Sequence, residues 1–226
     1  MKISSELSIY DRVYLKEGLS ATQRLVLDLV GKNKDVLEVG CGSGHMTKML
    51  TQEQACQVTA VELDTNMAQR AAPFCKKIHI GSIESTDIQD KIRGEFDVIL
   101  FIDVLEHLIN PGRILQVAQN WLKPNGHIVV SLPNIAFVKI RLQLLFGRFE
   151  YADSGILDKT HLHFYTIKSA KELLASNGYL VRQMILKNSY FPRGFLSNTL
   201  ISVLPNLFTA NIIMIGEPSR RKHEAS

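Results

Sequence analysis

The sequence predicts an α/β protein built on a doubly wound, mostly parallel sheet. Short apolar runs rich in β-branched residues alternate with amphipathic stretches, which is typical of strands covered by helices. The first run leads directly into "GCGSG" at 40–44, a glycine-rich turn where such sheets bind ligands. A length of 226 residues suits one well-buried domain, so we expect a single domain over 1–226.

Seven apolar runs predict the strands. Each is short, rich in valine, isoleucine or leucine, and bounded by polar or turn-forming residues. In chain order they cover 35–39, 57–63, 76–80, 96–102, 127–132, 179–186 and 211–216.

Amphipathic stretches between these runs predict the helices. We expect them over 21–30, 45–52, 65–72, 112–122 and 167–177. Proline or glycine marks three of their ends, namely Pro73, the "KPNG" stretch at 123–126, and Gly178.

The segment 133–166 interrupts this alternation after the fifth predicted strand. An insertion there lies where open α/β sheets bind ligands. Its part "FVKIRLQLLFGRF" (137–149) alternates apolar residues with basic ones at helical spacing. Three interpretations fit: an ordinary packed helix, a lid over the substrate, or a patch that contacts lipid or an anionic substrate. We favour the lid over the membrane patch.

The charge of the chain argues against a nucleic-acid partner. The formal net charge is +4, and a net +2 of this comes from a C-terminal tail that contains Arg220, Arg221, Lys222 and Glu224. The remaining +2 is too small for the basic surface that nucleic-acid binding requires.

Composition and cysteine usage point to a soluble cytoplasmic protein. Cys41, Cys56 and Cys75 are odd in number and lack CxxC spacing, so we expect neither a disulfide framework nor a zinc site. The first residues, "MKISSELSIYDRVY", lack the apolar stretch of a signal peptide. The apolar segment 200–216 is interrupted by proline and asparagine and is too short to span a membrane comfortably.

The glycine turn predicts a nucleoside cofactor. Gly40, Gly42 and Gly44 follow a strand and open a helix, so their backbone N–H groups can face a ligand. Glu62 ends the next strand about 20 residues later, where such folds keep an acid for the ribose hydroxyls. Asp64 is a competing candidate for that contact.

The residues around the turn favour S-adenosylmethionine over a dinucleotide. The dinucleotide pattern G-x-G-x-x-G would need a third glycine at position 45, which is His45. The carboxylate of Glu38 would repel a pyrophosphate but attracts the sulfonium and ammonium groups of S-adenosylmethionine.

Four motifs in order resemble those of class I S-adenosylmethionine-dependent methyltransferases: "DVLEVGCGSG", "VTAVELD", "FDVILFIDVLEHLINP" and "LKPNGHIVVSLPN". The resemblance covers about residues 20–190. It implies a Rossmann-like, seven-stranded, mostly parallel sheet with one antiparallel strand.

The same resemblance implies the cofactor-binding residues. The methionine end would lie against Glu38, Gly40, Cys41, Gly42 and Gly44, and the ribose against Glu62 and Leu63. The family often reads G-D-A-E where this chain has "GSIE", so Ser82 and Ile83 stand at the adenine. Asp103, directly after the fourth strand, would face cofactor and acceptor.

Three histidines are candidate catalytic bases for a hydroxyl acceptor: His107, His161 and His163. Each also has a structural interpretation: His107 can bond Glu106, and one of the other two can face the core. Asp103, Glu106 and His107 have a spacing that could present three metal ligands on one helical face. Because "LEH" also occurs in relatives without a metal, we expect none here.

The predicted activity is methyl transfer to a small-molecule acceptor, most simply to a hydroxyl. The second half of the chain resembles bacterial methyltransferases of surface-polysaccharide and glycan synthesis, so a sugar hydroxyl is the first expectation. A quinone or phenolic intermediate comes second, and RNA is disfavoured by the low charge. Two alternatives are an NAD-dependent oxidoreductase and a non-catalytic S-adenosylmethionine-binding module.

Overall fold

The computed structural model describes residues 18–188, 199 and 201–219. The expectations for "MKISSELSIYDRVY" and for the charged tail at 220–224 lie outside these residues. The chain forms two compact units, Met1–Leu100 and Phe101–Ser226. Among the described residues, no helix combines the length and the apolar character needed to cross a membrane.

The first unit alternates helices and strands from its first described element. A capping box at Ser20 and Gln23 starts helix α1. Strand β2 pairs in parallel with β1 and with β3. The bounds are α1 Ala21–Val30, β1 Asp35–Val39, α2 His45–Gln52, β2 Gln57–Glu62, α3 Thr65–Ala71, a 3₁₀ turn Ala72–Phe74, β3 Lys77–Ile80 and α4 Thr86–Gln89.

Strand β4, Phe96–Ile102, leads from the first unit into the second. The second unit contains a 3₁₀ turn Leu105–His107, α5 Pro111–Ala118, a 3₁₀ turn Gln119–Trp121, β5 Leu122–Pro133, α6 Val138–Leu145, α7 Ile167–Ser176, β6 Tyr179–Lys187, α8 Pro205–Phe208 and β7 Asn211–Pro218.

The seven strands form one sheet in the order β3-β2-β1-β4-β5-β7-β6. Strand β7 is antiparallel to both of its neighbours, β5 and β6. The predicted fold, a mostly parallel sheet with one antiparallel strand, is therefore confirmed.

Most predicted elements agree with the structure, and the differences have local causes. Helices α4 and α8 were not predicted, because four residues are too few to show a helical period. Strand β5 begins at Leu122, so the "KPNG" stretch lies inside the strand rather than before it. A proline is tolerated near the start of a strand, where Pro124 lies.

The insertion 133–166 has a buried part and an exposed part. Phe137, Ile140, Ile156 and Leu157 form a buried cluster with Ala210. Residues 141–155, apart from the half-buried Gln143, are exposed. The insertion is thus packed to the second unit at both ends, and its middle faces solvent.

Asn134 fixes the start of the insertion. Its side-chain amide donates to the carbonyl oxygens of Asn206 and Thr209, at 2.9 and 2.7 Å, and its Oδ1 accepts from the Ala136 N–H at 3.0 Å. These contacts use all the hydrogen-bonding groups of a fully buried side chain.

Both the backbone conformation at position 44 and the small space beside it require a glycine. It has a left-handed backbone (φ 79°) at the N-terminus of α2. A Cβ there would lie 2.7 Å from the Cα of Ala71, whereas a Cβ on Gly42 (φ 55°) would meet nothing within 4 Å.

We therefore expect Gly44→Ala to destabilise the fold by about 2–4 kcal/mol, through backbone strain plus overpacking. Gly42→Ala, the matched control, should cost about 1–2 kcal/mol through strain alone. Urea unfolding of the two variants measures the difference. Equal losses would show that the contact with α3 does not constrain the turn.

Candidate active site

Glu38 lies at the end of β1 with its side chain buried. Its Oε2 accepts a 2.6 Å hydrogen bond from Thr47 Oγ1 on α2. Burial raises the pKa of Glu38 to about 7, the charge of Glu62 adds to the rise, and the Thr47 bond opposes it. A cation bound beside this carboxylate would favour its ionised form.

The glycine turn is held by the strand beside it. Gly40 N–H donates to the carbonyl oxygen of Val61 at 2.8 Å, and Gly44 N–H donates to that of Cys41 at 3.0 Å. Gly42 N–H donates to Glu62 Oε2 at 2.7 Å. The turn is therefore shaped before any ligand binds.

Glu62 bonds two backbone groups at once. Its second oxygen, Oε1, accepts from Asp64 N–H at 2.9 Å. Each carboxylate oxygen has a further lone pair, so ribose hydroxyls can still bind. Asp64, the competing candidate, accepts from Met67 N–H at 2.9 Å and caps α3 instead.

The sequence also predicts Leu63, Ser82 and Ile83 at the cofactor, and these three residues differ in their exposure and hydrogen bonds. Leu63 is 71% exposed, an apolar side chain next to Glu62 that is open to a planar base. Ser82 Oγ accepts from Glu84 N–H at 3.2 Å, and the carbonyl of the buried Ile83 accepts from Gln89 Nε2 at 2.8 Å. Neither shows the carboxylate that the family pattern places near adenine.

Cys41 contributes packing. It lies in a buried cluster with Ala60 and Ala71. Burial raises the pKa of its thiol, and the charge of Glu38 raises it further, so the side chain stays uncharged.

Asp103 follows β4 with a left-handed backbone (φ 53°), which is uncommon for a residue other than glycine. Its N–H donates to the carbonyl of Ser131 at 3.2 Å, and Ser131 Oγ donates to its carboxylate. Strand β5 thus holds both the backbone and the side chain of Asp103.

His107 is aligned by the loop that contains Asp158 and Thr160. Thr160 Oγ1 donates to Asp158 Oδ1 at 2.7 Å. His107 Nδ1 lies 3.0 Å from that hydroxyl oxygen and 3.3 Å from the Thr160 carbonyl oxygen. Because both oxygens then act as acceptors, Nδ1 carries the imidazole proton and Nε2 keeps a lone pair.

Glu106 is fully buried, and neither of its carboxylate oxygens has a hydrogen-bond partner. His161 Nε2 lies 4.0 Å from Glu106 Oε1, while its Nδ1 lies 3.2 Å from the carbonyl oxygen of Ile156. Burial raises the pKa of Glu106 well above its usual value and lowers that of His161. Burial thus disfavours the charged form of both groups.

The structure brings two of the three candidate histidines together. The rings of His107 and His161 are 4.7 Å apart in a T-shaped contact. His163 instead has its Nε2 3.3 Å from the carbonyl oxygen of Ile109. His107 bonds Thr160, not Glu106 as its structural interpretation supposed.

Within the described residues, the group that could hold a metal differs from the set suggested by the sequence. It contains Glu106, His107 and His161, whose ligand atoms lie within 4.8 Å of one another. A carboxylate with two imidazoles is a donor set that several divalent metals accept. His161 takes the place that the sequence pattern gave to Asp103.

Sequence reasoning missed the residues that position these groups: Thr47, Ser131, Asp158 and Thr160. The D-x-T pattern at 158–160 is a local signal, because aspartate often accepts from the backbone two residues on, as Thr160 N–H does here. No local sequence pattern predicted which residues contact Glu38, Asp103 and His107.

Residues 13–184 match a protein family described as a methyltransferase domain. The chain belongs to this family. A ubiquinone biosynthesis O-methyltransferase of Shewanella pealeana is 30% identical over 164 residues, which are 70% of this chain and 68% of that methyltransferase. One from Pseudomonas paraeruginosa is 28% identical over 45% of each chain.

Solved methyltransferase structures share the fold. A SAM-dependent methyltransferase from Archaeoglobus fulgidus has a TM-score of 0.62 at 17% identity, over 92% of this chain and 99% of its own. The magnesium protoporphyrin IX methyltransferase from Synechocystis, solved with bound SAH, has a TM-score of 0.60 at 13% identity, over 94% and 88%.

The prediction of a class I methyltransferase with S-adenosylmethionine as its cofactor is thus confirmed. Membership of the methyltransferase family argues against the NAD-dependent oxidoreductase.

The raised pKa of Glu38 predicts a stability that depends on pH. The folded chain keeps a proton that the unfolded chain loses above about pH 4.5, so stability falls as the pH rises from about 4.5 to 7. Glu38→Gln keeps an acceptor for Thr47 and does not titrate. Between pH 4.5 and 7, the free energy of unfolding of the unchanged chain should therefore fall by up to about 3 kcal/mol relative to that of Glu38→Gln.

Urea unfolding at a series of pH values measures this difference, and Glu53→Gln, at the exposed end of α2, serves as the control. Parallel stability curves for Glu38→Gln and the unchanged chain would contradict a raised pKa.

Proposed function

We propose that the protein O-methylates a small molecule at a phenolic or quinone-type hydroxyl, with His107 as the general base. The observation that carries this proposal is the alignment of His107 by Thr160 and Asp158, which leaves Nε2 with a lone pair. The name O-methyltransferase on relatives at about 30% identity supports oxygen as the acceptor atom.

The reaction needs one bond to form and one to break. The acceptor oxygen attacks the sulfonium methyl group, the C–S bond breaks, and a methyl ether and S-adenosylhomocysteine result. His107 Nε2 takes the hydroxyl proton, and the carboxylate of Asp158, bonded through Thr160, compensates the positive imidazolium. His161, whose ring lies 4.7 Å from that of His107, and His163, which lies apart from that pair, complete the proposed catalytic set.

The acidity of the acceptor favours a phenol over a sugar. A phenol has a pKa near 10, whereas an alkyl hydroxyl is far less acidic, so a single imidazole suits the phenol better. A sugar hydroxyl, the first expectation from the sequence, remains the alternative.

Turnover on matched hydroquinone, catechol and monosaccharide acceptors decides between the phenol and the sugar. The release of S-adenosylhomocysteine measures this turnover. Transfer to the sugars alone would overturn the phenolic proposal.

The other expectations about partners and location stay proposals. A small-molecule acceptor without nucleic acid agrees with the low net charge. The cytoplasmic location and a role in polysaccharide synthesis remain predictions from the sequence. So do the single domain over 1–226 and the insertion 133–166 as a lid over the substrate.

The proposed ribose contact predicts the effect of removing Glu62. Glu62→Ala should weaken S-adenosylmethionine binding by about 1.5–3 kcal/mol for each lost hydrogen bond to the charged group. Asp64→Ala is the matched control: it should lose about 1 kcal/mol of stability with its helix cap but keep its affinity. Calorimetric titration measures both. Unchanged affinity in Glu62→Ala would refute the contact, and a loss confined to Asp64→Ala would move it there.

The base mechanism predicts that turnover survives prolonged chelation. Burial raises the pKa of Glu106 well above its usual value, and a raised pKa disfavours the ionised carboxylate that a metal ion needs as a ligand. Glu106→Gln, a neutral replacement of the same shape, should then retain turnover close to that of the unchanged chain. Loss of turnover in chelator, restored by Mg²⁺ or Mn²⁺, would contradict this and make Glu106, His107 and His161 ligands.

A further inference from the structure

The exposed middle of the insertion carries an apolar stripe. The stripe consists of Leu142 and Leu145, three residues apart on α6, together with Phe146 and Phe149, which follow the end of the helix. Their exposed fractions are 50%, 75%, 75% and 43%. Leu144 and Tyr151 beside them are also exposed. Monomeric soluble proteins rarely leave so many large apolar side chains together in water, so this stripe indicates a contact surface.

Apart from Phe149, whose ring contacts that of Phe164 beside the buried cluster, the stripe is separate from the face by which α6 packs. Phe137 and Ile140 already fill the buried cluster with Ile156, Leu157 and Ala210. Together with the bonds of Asn134, this cluster fixes the insertion on the second unit. The stripe is therefore presented on a packed base, which reduces the entropy cost of a contact there.

The charges around the stripe are mostly basic, the exception being the exposed Glu150 directly after Phe149. Lys139, Arg141 and Arg148 are all exposed, and the stretch 137–149 contains no acidic residue. Arg141 Nε donates to the carbonyl of Ala136 at 2.7 Å, which holds its guanidinium at the base of the helix. Apolar side chains flanked by lysine and arginine are the combination that binds membranes with anionic headgroups.

We propose that this stripe docks the enzyme on an anionic lipid surface. The apolar side chains enter the boundary between headgroups and acyl chains, and the three cations contact the phosphates. A second copy of the chain is a poorer occupant, because two such stripes would bring their like charges together. The proposal concerns where the enzyme works and does not depend on which hydroxyl it methylates.

Vesicle co-sedimentation of the full chain tests the proposal. We expect binding to phosphatidylcholine vesicles that contain phosphatidylglycerol, weaker binding to phosphatidylcholine alone, and release by salt. The double variant Leu145→Ser/Phe146→Ser should bind at least about tenfold more weakly, given the apolar area it removes. Leu180→Ser, an exposed leucine on β6, is the matched control and should bind normally.

The basic tail at 220–222 is present in every variant, so the differences between variants report on the stripe. Hydrogen exchange adds a second measurement: vesicles alone should protect 141–151. Absent binding, or binding that the double variant leaves unchanged, would overturn the proposal. So would a concentration-dependent dimer that the double variant abolishes, which would assign the stripe to a second copy. Protection by S-adenosylhomocysteine plus acceptor without vesicles would assign it to a lid.

Discussion

The carboxylate of Glu62 is the contact on which the cofactor half of the protein depends. It accepts from the backbone of Gly42 on one oxygen and from that of Asp64 on the other. It thereby ties the glycine turn after β1 to the end of β2 and the start of α3. A turn with left-handed glycines would otherwise lose much conformational entropy on ordering. The residue proposed to hold the ribose therefore also shapes the turn that faces the cofactor.

Each unit contains a buried carboxyl group, and the two groups differ in their hydrogen bonds. Glu38 keeps one strong hydrogen bond and a pKa of about 7, so its charge can respond to a bound cation. Glu106 has no hydrogen-bond partner for either oxygen, and burial raises its pKa well above the usual value. An unpartnered buried carboxyl is costly to fold, and the cost is smaller for its neutral form than for its charged one.

The insertion combines anchoring and exposure in one short segment. Its inner residues complete a buried cluster, and its outer residues expose large apolar side chains among basic ones. Methyl transfer requires only that the acceptor is held against the cofactor. The proposed lipid docking instead concerns where the enzyme works, whichever hydroxyl it methylates.

The strands and most of the helices were predictable from the sequence, and the same local patterns selected the proposed cofactor residues. Helix α2 and strands β1 and β4 have the predicted bounds, because hydrophobic period and turn residues are local properties. The contacts among Glu106, His107 and His161 depend on the tertiary structure and had no local signal in the sequence. His107 meets Thr160 from 53 residues away, and His161 replaces Asp103 beside Glu106. Such contacts and the resulting pKa values depend on the path of the chain and on burial, which no local pattern encodes.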